Sequence, residues 1–93
     1  MRVLNLDDFS EKIGASYDIL VDGGAVAVTL TELQKLPHAV REGGSFRLVF
    51  RGPTDPVLPQ AIYPFRHAGE VDDIFIVPVA RDQAGTQYEA IFF

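Results

Sequence analysis

The sequence predicts a mainly β domain with one short N-terminal helix. Six mostly antiparallel strands would form a small barrel or a two-layer sandwich. Three observations predict this. From Ser45 to Phe93, apolar and polar residues alternate through SFRLVFRGP, LPQAIYPFRH, DIFIVPV and QYEAIFF, the period of half-buried strands. Turn-forming residues separate the runs, most clearly Asp22-Gly23-Gly24, whose glycines supply the positive φ angles of a tight hairpin. Finally, many short strands in 93 residues leave exposed edges unless the sheet closes or is doubled.

Leu6, Phe9 and Ile13 fall on one face of a helix, which predicts a helix over about 6–13. Asn5 or Asp7 would cap it, and Gly14 suits the position just past its end. Tyr17, Ile19 and Val21 alternate with polar neighbours and predict a strand over about 15–22. Val26, Val28 and Leu30 predict the next, over about 25–33. Its end has a competing reading, because Thr31-x-x-Gln34 is also a capping box opening a short helix with Leu33 and Leu36. Pro37 leaves little length for that helix, and the longer strand is favoured. A loop over 34–44 would close with Gly43-Gly44.

Phe46, Leu48 and Phe50 predict a strand over 45–51 with arginines on its outer face. Pro53, Pro56 and Pro59 then stiffen the connection Gly52–Gln60. A strand over 60–67 carries Pro64, which implies an edge or a bulge. The strand over 73–80 is apolar almost throughout. Its two faces are expected to be buried, or one is covered by the helix. Pro78 marks a bulge or edge near its end, and Tyr88, Ala90 and Phe92 define the last strand, 87–93. The strands from 45 onward read as a meander.

Composition bounds the function. A chain of 93 residues is one domain, able to bury roughly 60–65% of its unfolded surface. With no cysteine, disulfides, thiolate metal sites and cysteine nucleophiles are excluded. A net charge of −5 with scattered arginines argues against nucleic acid and anionic membranes as partners. The N-terminus lacks the apolar run of a signal peptide, and no segment approaches the ~20 apolar residues of a membrane span. A soluble, cytoplasmic protein is expected.

From residue 25 onward the chain resembles a bacterial family of small, functionally uncharacterised domains. The resemblance lies in AVAVTLTEL, FRLVFRGP, LPQAIY, DIFIVPV and YEAIFF, in that order and spacing. It implies no catalytic residues. It does imply genomic neighbours similar to phage tail-collar proteins, and hence an accessory role in an assembly with a tail-collar-like partner.

No motif for chemistry stands out. Asp55, Glu70, Asp72 and Asp73 lack the D-x-D-x-D-G spacing of a calcium loop and read as solvated turns. His38 and His67 have no metal-ligand spacing, and no serine sits in a nucleophile elbow. No cofactor and no enzymatic activity are expected. Arg47, Arg51 and Arg66 would share one face only if their strands were neighbours. Two binding surfaces are expected instead. One is the stiff loop, through Pro53, Pro56, Leu58, Pro59 and Gln60, because loops on rigid scaffolds often carry recognition. The other is the apolar end at Phe93, suited to a protein partner or a second copy. The leading expectation is therefore a non-enzymatic protein-interaction or structural module. The alternative is a small-ligand or enzymatic site at one barrel mouth, lined by Gln60, Tyr63, Arg66 and His67.

Overall fold

The computed structural model describes residues 4–36 and 45–92. His38, Gly43-Gly44 and Phe93 lie outside the described residues. Six strands form a closed antiparallel barrel: β1 (Ser16–Val21), β2 (Gly24–Lys35), β3 (Phe46–Gly52), β4 (Ala61–His67), β5 (Glu70–Asp82) and β6 (Gly85–Phe92). Of barrel and sandwich, the chain forms the barrel. Closure removes the unpaired edges that so short a chain could not otherwise cover.

Around the barrel the order is β1, β2, β3, β6, β5, β4, with β4 returning to β1 through Asp18 opposite Arg66 and Ile19 opposite Phe65. Only β4, β5 and β6 form the expected meander. β3 pairs with β2 and β6 and lies across the barrel from β4. The connection from β3 to β4 therefore runs over one mouth.

The strand alternation points Tyr17, Ile19, Val28, Leu30, Phe46, Leu48, Phe50, Phe65, Ile74, Ile76, Tyr88 and Ala90 inward as one buried cluster. Each large member contributes about 1.5–3 kcal/mol by leaving water. Tyr17 meets Phe50 edge-on at 5.5 Å, the arrangement that the ring quadrupoles favour.

In β2 the inward phase changes after Leu30. Leu30 faces Phe50 but Glu32 faces Val49, so Thr31 is the extra residue of a bulge. The Thr31 hydroxyl donates to the Val49 carbonyl at 3.1 Å. β2 thus continues to Lys35 with its phase shifted by one residue, and the reading of a capping box opening a short helix with Leu33 and Leu36 falls away. A second bulge follows Pro78 in β5. Pro64 sits in continuous register with β5. It marks the point where the short β1–β4 ladder stops, because proline has no N–H to extend it.

The expected helix over 6–13 does not form. A 3₁₀ turn spans Leu6–Asp8, closed by a capping box in which Asp7 N–H donates to the Asn5 side chain and Asn5 N–H donates to the Asp8 carboxylate. Two further single turns follow, from Lys12 N–H to the Phe9 carbonyl and from Ala15 N–H to the Lys12 carbonyl. Starting a helix is costly, and so short a segment gains more by pairing with the sheet. Gly14 N–H donates to the Leu30 carbonyl, and Leu30 N–H to the Ala15 carbonyl. Leu4 and Phe9 are buried, whereas Ile13 is exposed.

Without that helix, the outer side of β5 is uncovered. Ile74 and Ile76 face inward, while Val71, Phe75 and Val79 face out and are exposed. The expectation that both faces of this strand are covered is overturned: an all-apolar strand in a barrel of this size has only one face to bury. No helix of the described residues is long and apolar enough to cross a membrane.

Candidate functional site

The two mouths are finished differently. At the first, the Gly52–Gln60 connection crosses from β3 to β4 and turns Leu58 into the core, where it is 7% exposed. The Leu58 N–H donates to the Tyr88 hydroxyl at 2.9 Å. Tyr63 reaches the same connection, donating through its hydroxyl to the Pro59 carbonyl at 2.7 Å. Arg81 pairs with Asp55 on the outside at 3.0 Å. Pro53, Pro56, Pro59 and Gln60 are exposed, as is Val57. Leu58 itself is a core plug and not a surface contact, because the connection must span the mouth and cover what lies beneath.

At the other mouth, the N-terminal segment meets the start of β1, the end of β4 and the start of β5. A cavity of about 380 Å³ opens there. Its floor is formed by Phe9, Tyr17, Phe65 and Ile74, all buried. Asp7, Asp8, Lys12, His67, Glu70 and Asp72 line it toward solvent. His67 stacks on Tyr17 at 4.5 Å. The Nδ1 of His67 lies 2.9 Å from the Ser16 carbonyl, an acceptor only, so this nitrogen carries the proton.

Of the four residues expected at one mouth, only His67 lines this cavity. Gln60 and Tyr63 sit toward the opposite end of β4, since a seven-residue strand spans roughly 23 Å. Arg66 points outward and pairs with Asp18 at 3.1 Å across the β1–β4 seam. The three arginines do not share a face. Arg47 pairs with Glu89 and Glu32 on strands adjacent to β3. Among the described residues, no group of three or more histidine or acidic side chains is arranged to hold a metal ion. Asp55 lies at the far mouth from Glu70 and Asp72.

Sequence reasoning did not place Asp7, Asp8, Phe9 and Lys12 at a site. Their approach to Glu70 and Asp72 is long-range, and nothing in their spacing announces it. A second feature it missed is the outer face of the β4–β5 hairpin. Ile62 and Phe75 are direct cross-strand neighbours there. They are 66% and 47% exposed, and Val71 nearby on β5 is 52% exposed. The signal was present in DIFIVPV, whose apolar residues outnumber the inward positions of one strand.

A family model described as Domain of unknown function (DUF6916) matches residues 4–92. No curated protein matches the chain. No solved structure matches it either.

Proposed function

The chain belongs to this family of domains of unknown function, and we propose that it is a non-enzymatic protein-interaction or structural accessory module of a bacterial, phage-tail-like assembly, working in the cytoplasm. One observation carries the proposal: the paired, exposed Ile62 and Phe75 on the outer face of β4–β5. Adjoining large apolar side chains left exposed on one face are a mark of an interaction surface. The barrel closes on itself, with two residue pairs at the β1–β4 seam, and Ile62 and Phe75 offer a side-chain surface for recognition on its outer face. The exposed prolines of the Gly52–Gln60 connection supply a second, stiffer contact at the far mouth.

The test is affinity capture from the native host with the wild type and an Ile62→Asp/Phe75→Asp variant. The expected result is a stoichiometric companion retained by the wild type and lost by the variant, with unchanged thermal unfolding. A companion held equally by both would remove this face from the proposal. The same face on a second copy would make a homodimer, which light scattering of the two proteins across concentration distinguishes.

A second reading, a small-ligand or enzymatic site at one barrel mouth, is favoured by the cavity between the N-terminal segment and the β4–β5 turn. Its volume of about 380 Å³ lies within the range of ligand pockets, roughly 300–1,000 Å³. A thermal-shift screen against metabolites tests it, and a flat response across a broad library counts against it.

A further inference from the structure

We propose that the outer face of β4–β5 pairs with a second copy of this chain in a twofold dimer. The inference rests on the reading of that face as an interaction surface, and it names the partner. Tyr63 and Phe65 pack into the core, so Ile62, Pro64 and Arg66 point outward from β4. On β5, Ile74 and Ile76 are buried, so Val71, Asp73 and Phe75 point outward. The cross-strand register sets these side chains in rows: Ile62 beside Phe75, Pro64 beside Asp73, and Arg66 beside Val71. An apolar row, an acidic row and a basic row thus follow one another along the strands. Asp73 is exposed, and among the described residues no ion pair or hydrogen bond holds it. Arg66 gives one nitrogen to Asp18 at 3.1 Å, with half of its side chain still exposed, and its guanidinium has further N–H donors to offer.

The order of those rows decides between occupants. A twofold axis parallel to the strands, midway between β4 and β5, lays β4 of one copy over β5 of the other at the same level. Ile62 then meets Phe75 of the other copy, and Phe75 meets its Ile62. Sheets packed face to face lie about 10 Å apart, within reach of these side chains. Arg66 comes to lie over Val71 of the other copy, one row from Asp73, and its long side chain spans that step. Each contact occurs twice, as an isologous interface requires. Two ion pairs then flank an apolar centre. An unlike partner rich in one charge fits less well, because a basic one meets Arg66 and an acidic one meets Asp73. A twofold axis across the strands, centred on the same patch, sets Asp73 against Asp73 and Ile62 against Arg66. Like charges brought face to face are costly, so the lengthwise axis is selected.

The experiment is sedimentation equilibrium of the full chain from micromolar to millimolar concentration. The samples are the wild type, Asp73→Arg, Arg66→Asp, and an equimolar mixture of these two variants. The wild type is expected to pass from monomer to twice that mass. Each reversal alone turns both ion pairs into like-charge pairs and should weaken the dimer about tenfold. The mixture restores both pairs with their signs exchanged and should return to within about threefold of the wild type. Asp73→Asn, which keeps the shape and removes only the charge, should weaken the dimer about threefold and decides the point if a reversal disturbs folding. Ile62→Asp/Phe75→Asp should stay monomeric throughout. A wild type that stays monomeric overturns the dimer and leaves the face to an unlike partner, which the affinity capture above decides separately. A dimer formed equally well by Ile62→Asp/Phe75→Asp uses another surface and overturns the inference. A mixture no tighter than either variant alone overturns the lengthwise twofold pairing on which the inference stands.

Discussion

At one mouth of the barrel, Leu58 lies over the core and its N–H is tied to Tyr88. At the other, Phe9 is buried among Tyr17, Phe46 and Phe92, yet a cavity of about 380 Å³ remains beside it. The difference follows from connectivity. β3 and β4 stand opposite each other in the ring, so the chain joining them has to cross the first mouth and close it. At the second mouth β4 turns directly into its neighbour β5, and this link crosses nothing. In the loop expected to carry recognition, Leu58 serves as a core plug while its prolines stay exposed, and the opposite end of the molecule holds the cavity.

This contrast can be broken at three points. The largest effect is expected at the closed mouth for Gly85→Ala. Gly85 has φ 137°, and a Cβ there would run into the Gly52 carbonyl oxygen. Backbone strain and overpacking together should cost about 4 kcal/mol in urea unfolding. A loss under about 1 kcal/mol would mean that β3 and β6 have slack at this end. Leu58→Ala comes next, at about 3 kcal/mol, because it leaves a hole under a connection held in place by Tyr88. A small loss there would show that the connection is a replaceable lid. The smallest effect belongs to the open mouth. Glu70 is exposed, so Glu70→Gln should change unfolding free energy by no more than about 0.5 kcal/mol. A loss comparable with that of Leu58→Ala would make the two mouths equivalent, and the cavity rim structural.

The strands themselves were legible in the chain because alternation is local. Phe46, Leu48 and Phe50, or Tyr88, Ala90 and Phe92, show their inward face within a few residues. The bulge at Thr31 was less legible, since a one-residue phase shift mimics helical spacing. The N-terminal helix was misread for a related reason. The positions of Leu6, Phe9 and Ile13 suit a helix face, but hydrogen bonds between Gly14, Ala15 and Leu30 tie the segment to β2 instead.

The candidate site was less legible still. His67 alone was anticipated among the residues lining the cavity. Its partners come from the starts of β1 and β5, from β4 and from the segment before β1, and no spacing rule links Asp8 with Asp72. Alternation, turn chemistry and the exclusion of cysteine and motif-based chemistry belong to the sequence by itself, because each depends on neighbours along the chain. The tertiary structure alone decided which strands adjoin, which mouth is sealed, and that Ile62 and Phe75 face outward with no layer over them. Those outcomes depend on pairings between distant residues, where closure of the ring and burial of one face outweigh any local preference.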